Sequence, residues 1–152
     1  MVTRCTVCAM PSDVLLKTMN TIHRGIIALT GNRIGWTAGG MPVIKLTTTG
    51  RKSGEPRSVM LTSPVQEGET WIIVASKGGD DDHPAWFLNL RDNPTVTIEP
   101  GPGVSHRATA RIANAAERER LWPQITAAYS NYASYQRRTQ REIPLVLIEP
   151  LT

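Results

Sequence analysis

Arg51, Lys52 and Arg57 place three cations within the short stretch Thr47-Thr48-Thr49-Gly50-Arg51-Lys52-Ser53-Gly54-Glu55-Pro56-Arg57. A loop of this kind can aim guanidinium groups, an ammonium and the backbone N–H groups near Gly50 and Gly54 at one small region. The natural occupant is an anion, because charge-assisted hydrogen bonds from arginine are short, strong and often bidentate. The alternative is a solvated turn whose cations serve only solubility. The spacing is not that of a nucleotide P-loop, which needs Gly-Lys-Ser/Thr at the start of a helix. Here β-type sequence follows.

Two further clusters offer complementary chemistry. Ser76-Lys77-Gly78-Gly79 combines a hydroxyl, a cation and two accessible backbone positions. Tyr129, Tyr132 and Tyr135 are the only tyrosines in the chain. Their rings and hydroxyls suit a planar substrate, or they pack a helix onto the domain. His23, His83 and His106 are scattered, and none stands in a triad context. No pair of acids is set for glycoside hydrolysis. A chain without its own nucleophile or base borrows reactivity from a cofactor.

The elements that must position these groups follow from hydrophobic period and turn residues. Val43–Leu46 and a strand from Val59 to about Val65 flank the cationic loop, which reads as a hairpin. Glu67-Gly68-Glu69 is a turn into Trp71–Ala75, an unbroken apolar run typical of a strand buried on both faces. Asp80-Asp81-Asp82 precedes Pro84 at the expected first helical position, where negative charge favours a helix N-terminus. The helix carries Trp86 and Asn89 and breaks at Asn93-Pro94. Thr95–Ile98 and Arg107–Ile112 alternate as a second hairpin about Pro100-Gly101-Pro102-Gly103. Asn114 and Glu117 form a capping box for a C-terminal helix that Pro123 kinks or divides. Leu145–Ile148 returns as a strand. Six strands with few helices, mainly β, predict a small and mostly antiparallel barrel.

At 152 residues the chain holds one domain with a proper core. We divide it into an N-terminal tail with an amphipathic helix over 1–35 and a barrel domain over 36–152. Ser12-Asp13 caps that helix, whose apolar side covers the barrel or docks on an acidic membrane surface. Cys5 and Cys8 have metal-knuckle spacing but only His23 nearby, and Asp80–Asp82 with His83 are consecutive, so no metal site is expected. A net charge of +4 and a pI near 9.4 favour anionic partners. With no secretory signal and no apolar run long enough to span a bilayer, the expected location is the cytoplasm, with or without membrane association.

In order and spacing, Leu46–Arg57, Ala75–Gly79, Pro84–Leu90, Asn93-Pro94, Trp122-Pro123, Tyr129–Tyr135 and Ile143–Pro150 resemble the deazaflavin-dependent nitroreductase family. These are actinobacterial split-β-barrel proteins that use coenzyme F-420, a fold shared with FMN-binding split barrels. The resemblance implies a reductase passing hydride from the reduced cofactor to a quinone, an enone or a nitroaromatic. It implies that Arg51, Lys52, Arg57 and Lys77 hold the cofactor's anionic side chain, which carries a phosphodiester and glutamates, and that Thr49, Gly50 and Gly78 also bind the cofactor. Ser76, Trp86 and Asn89 would lie nearer the deazaflavin ring. Tyr129, Tyr132 and Tyr135 would shape the acceptor pocket, with Ser76 or a tyrosine hydroxyl as proton donor. One departure is Thr62, where the family often has tyrosine, so nitroimidazole reduction does not transfer. FMN is the alternative cofactor, and its single phosphate matches three cations less well. A basic barrel binding nucleic acid is disfavoured, since the cations are not interleaved with strand aromatics. The oligomeric state stays open.

Overall fold

The computed structural model describes residues 37–152. The expected helix that Ser12-Asp13 caps, the Cys5–Cys8 pair, His23 and the unit 1–35 lie outside them. The chain forms β1 (Thr37–Ala38), β2 (Met41–Thr49), β3 (Pro56–Thr62), β4 (Val65–Glu67) and β5 (Thr70–Val74). After a 3-10 turn over Lys77–Gly79 come α1 (Ala85–Asp92), β6 (Thr95–Gly101) and β7 (Val104–Ile112). Helices α2 (Ala115–Ala128) and α3 (Ser130–Arg137) precede β8 (Leu145–Pro150). No helix of the described residues is long and apolar enough to cross a membrane.

The described strands number eight, not six. Gly39 and Gly40, both at positive φ, fold Thr37–Ala38 back onto Met41–Pro42 and create β1. The strand expected to run to Val65 stops at Thr62 instead. Pro64 has no N–H to continue a ladder, and beyond it Val65–Glu67 pairs with β5. Buried Ser63 fixes this break: its N–H donates to the Pro42 carbonyl at 2.9 Å and its hydroxyl reaches the Ile72 carbonyl at 2.8 Å.

Every strand pairing is antiparallel, in the order β1-β2-β6-β7-β8-β5-β4, with β3 also on β2. β3 pairs only with β2 and β4 only with β5, so the curled sheet stays open between them. Strands β5 and β8 are covered on both faces. Ile73, Val146 and Ile148 join Ile44, Leu46, Phe87 and Leu90 in one core cluster. Ile72, Val74, Leu145 and Leu147 join Leu121, Ile125 and Tyr132 in another. This accounts for the unbroken apolar run after Trp71, because alternation disappears when both faces are buried.

The C-terminal helix divides at Tyr129, not at Pro123, which is carried inside α2. Its start is the expected capping box: Glu117 N–H donates to Asn114 Oδ1 and Asn114 N–H to Glu117 Oε2, each at 2.9 Å. Arg111 on β7 adds a two-pronged contact to the Glu117 carboxylate, both at 2.8 Å, and reaches Glu149 on β8 through Nε at 2.9 Å. Arg111 first, and then the Asn114 N–H, lower the Glu117 carboxyl from 4.5 to about 2. A depressed carboxyl adds stability above its unfolded value and loses it as pH falls toward the folded one. Glu117→Gln should therefore lower stability by about 1 kcal/mol at pH 7. In chemical denaturation the gap from wild type should close as pH falls from 4.5 toward about 2. A gap as wide at pH 3 as at pH 7 would contradict this role.

Candidate functional site

A cleft of about 1220 Å³ lies in the opening of the sheet, bounded by β3, the β2–β3 loop, the turn after β5, α1 and α3. It is large for a single small ligand, since typical pockets run to about 300–1,000 Å³. The space suits a long molecule with a second one beside it.

One part of the cleft wall is the cationic loop. Glu55 receives the Gly50 N–H at 2.8 Å through its carbonyl, and the Gly50 carbonyl receives the Gly54 N–H at 2.8 Å. A Cβ at Gly50 would meet Ser53 Oγ at 2.6 Å and the Glu55 carbonyl at 3.2 Å, so a side chain there would have to displace the Ser53 hydroxyl and shift the turn slightly. Arg51, Lys52 and Arg57 are exposed and line the cleft. Among the described residues no carboxylate pairs with them.

Asn89, expected along the cofactor, also serves the loop. It is 6% exposed, and its side-chain oxygen accepts the Arg51 N–H at 3.1 Å. Its Nδ2 donates to Thr48 Oγ1 at 3.2 Å, and that hydroxyl reaches the Arg57 carbonyl at 3.4 Å. One amide on α1 thus ties down both ends of the loop while forming part of the cleft wall. Thr49 ends β2 opposite Pro56 and does not line the cleft.

Another part of the wall is the turn after β5. Ser76, Lys77 and Gly78 all line it. Lys77 has φ of 46°, and Gly78 and Gly79 are also positive. A non-glycine residue held there costs about 1–3 kcal/mol, which the surroundings must offset. Gly79 is pressed against α3, where an added Cβ would meet the Tyr135 carbonyl at 2.6 Å. The acids that follow do not serve the α1 N-terminus as expected. Asp80 pairs with Lys77 at 3.6 Å and Asp81 accepts from Thr139 Oγ1 at 2.8 Å. Pro84 is the N-cap residue of α1, not its first helical residue.

A further part of the lining is apolar and aromatic. Val59, Met60 and Leu61 on β3 and Trp86 and Leu88 on α1 all line the cleft. Tyr132 and Tyr135 enter from α3, edge to face with centroids 6.1 Å apart. Tyr132 is 5% exposed, and its hydroxyl lies 3.1 Å from Thr62 Oγ1 and 3.6 Å from Met41 Sδ. Burial pushes its phenol above the ordinary value of 10, so it keeps its proton. Tyr129 occupies the joint between α2 and α3, packs into the second core cluster and does not line the cleft. The three tyrosines therefore do not share one face of one helix. Sequence reasoning weighed His83 only for a triad or a metal site and overlooked Asn131 and Arg141, the last of which donates to carbonyls of the turn after β5. No spacing rule links Arg141 to residues some sixty positions earlier.

A family model described as F420H(2)-dependent quinone reductase matches residues 19–150. An F420H(2)-dependent quinone reductase of Mycobacterium tuberculosis H37Rv is 38% identical over 138 residues, covering 88% of this chain and 89% of its own. Among solved structures, an F420-H2 dependent reductase (FDR-A) is similar, with 43% identity and a TM-score of 0.63. It covers 71% of this chain and 94% of its own. A second, described as a domain-swapped dimer, is 40% identical with a TM-score of 0.66, covering 85% and 96%.

Asn89→Leu should leave the Arg51 N–H and the Thr48 hydroxyl without their partner, at roughly 1–3 kcal/mol of stability. Amide hydrogen exchange should show faster exchange at Arg51 with little change in β6 and β7. Unchanged protection at Arg51 would show that the loop holds itself.

Proposed function

The chain belongs to the F420H(2)-dependent quinone reductase family, and from that premise we propose how its cleft divides the work. It is an oxidoreductase that transfers hydride from reduced coenzyme F-420 to a quinone. When bound, the reduced cofactor supplies a hydride and a proton, so quinone becomes hydroquinone with electrons and protons in balance.

The donor set fits this cofactor. Arg51, Lys52 and Arg57, with which no carboxylate pairs among the described residues, present three cations to a polyanionic tail, where one FMN phosphate would leave cations unmatched. The hydrogen-bonded turn at Gly50 presents them to the cleft. Lys77 and Gly78 continue this surface toward Ser76. The observation that carries the reading is that the cationic loop, the Ser76–Gly78 turn and Tyr132 with Tyr135 border a single cleft. Anionic tail, planar ring and planar acceptor then follow one another along it.

The chain's own residues bind, orient and hold protons. Trp86 and the side chains of β3 form the apolar walls that keep water from the reacting face. Tyr132, protonated at all ordinary pH values, offers an O–H to the acceptor oxygen where negative charge develops. Thr62 fixes that hydroxyl, and the smaller side chain here widens the acceptor end relative to a tyrosine. Enones and nitroaromatics of similar size are secondary acceptors on this reading.

Fluorescence titration should show oxidised coenzyme F-420 binding well and FMN poorly. Arg51→Ala or Lys52→Ala should weaken F-420 binding roughly tenfold, as loss of a charged hydrogen bond implies. The residual binding should depend less steeply on salt. Binding of FMN without F-420, or variants with unaltered affinity and salt dependence, would overturn the assignment. Tyr132→Phe should lower kcat for quinone reduction about tenfold or more while F-420 affinity holds. Unchanged turnover with every quinone tried would return Tyr132 to a packing role.

A further inference from the structure

Arg141, on the connection between α3 and β8, places its guanidinium under the loop that joins β5 to α1. Nε donates to the Asp80 carbonyl at 2.8 Å, Nη2 to the Ser76 carbonyl at 2.9 Å and Nη1 to the Ala75 carbonyl at 3.2 Å. Nη1 also lies 3.3 Å from His83 Nδ1. A guanidinium has five donors, no acceptor and no accessible deprotonated form. In that contact His83 Nδ1 must accept, so the imidazole proton sits on Nε2.

The ring itself is held. His83 packs on Phe87 with centroids 4.7 Å apart, and it is half-buried at the wall of the cleft. With Nδ1 turned to Arg141, Nε2–H is the polar atom left for a molecule in the cleft. Its neutrality is supported by its surroundings. Burial first, then Arg141 and Arg91, hold its pKa below the ordinary 6.5, and Asp82 opposes them.

We propose that His83 is a further ligand-contacting residue of this cleft: a neutral imidazole whose Nε2–H donates to a carbonyl oxygen, with Arg141 as its positioning residue. This rests on the reading that the cleft holds coenzyme F-420 and a quinone, both of which carry ring carbonyls. A quinone oxygen gains negative charge as hydride arrives, and a donor already fixed in place stabilises it without reorganisation. A neutral imidazole serves here as a hydrogen-bond donor beside the Tyr132 hydroxyl. The same guanidinium that fixes the tautomer also holds the Ser76 carbonyl, so Arg141 couples the strained turn to the histidine.

The tautomer can be read without any ligand, by proton–nitrogen correlation spectra of the labelled imidazole. At pH 7 we expect Nε2 protonated and Nδ1 bare, with Arg141→Met abolishing that preference. An Nδ1–H tautomer or an imidazolium in the wild type overturns the proposal, whether or not F-420 binds. On the loaded enzyme, His83→Phe should lower kcat/KM for the quinone roughly tenfold or more, with F-420 affinity unchanged, if the carbonyl is the acceptor's. If the carbonyl is the cofactor's, F-420 binding weakens by a similar factor instead. His83→Gln, which keeps an N–H donor, should recover most of the loss in either case, which a packing role would not predict. Changes under twofold in both measurements, or a glutamine variant as impaired as the phenylalanine one, overturn the assignment. Failure of the wild type to bind F-420 would instead sink the reading of the cleft.

Discussion

The site depends on one buried side-chain amide. Asn89 accepts the Arg51 N–H and donates to the Thr48 hydroxyl, so the cationic loop is fixed to α1 from inside. Without that tie the loop would be a β-hairpin turn with three exposed like charges, and their mutual repulsion would favour spreading. A small net contribution from each hydrogen bond is enough, because leaving a buried amide unpaired is worse than the bond is good. α1 is itself anchored by Phe87 and Leu90 in the core. The loop's cations therefore take their positions from the barrel interior and not from one another.

The same logic recurs at the turn after β5. Lys77 sits in a conformation that favours glycine, and it is held there by contacts from two directions. Gly79 lies against the Tyr135 backbone, and Arg141 gathers the carbonyls of Ala75, Ser76 and Asp80. The failure of β3 and β4 to pair leaves the opening into which both devices face. An unclosed sheet edge is ordinarily a liability. Here β3 is half-buried along the cleft wall, and a bound ligand would cover it.

Much of this was legible beforehand where local chemistry decides the outcome. The capping box of Asn114 and Glu117, the hairpin about the Gly101 region and the two-faced strand after Trp71 all follow from short-range pattern. The segments resembling the deazaflavin family identified the fold and the activity because their order carries more information than any one of them. Less was legible where long-range contacts decide. Pro64 is a visible signal for the missing strand register and could have been used. The service of Asn89 to the loop depends on Thr48 and Arg51, 41 and 38 residues earlier, and the helix joint at Tyr129 carries no glycine or proline to announce it. The acids at Asp80–Asp82 look like helix-capping charges, and instead two of them tie the turn to Lys77 and Thr139. The tail and first helix lie outside the described residues.

The central claim is that the Asn89-anchored cations hold the cofactor through its anionic tail. A binding cycle tests it directly, using coenzyme F-420 and the same deazaflavin stripped of its phosphodiester and glutamates. Each would be titrated into the wild type and into an Arg51→Ala/Lys52→Ala variant at low salt. The account predicts a large preference for the tailed cofactor in the wild type that nearly vanishes in the variant, with the stripped ring binding both alike. An equal preference in both proteins would contradict it and place the tail elsewhere on the surface.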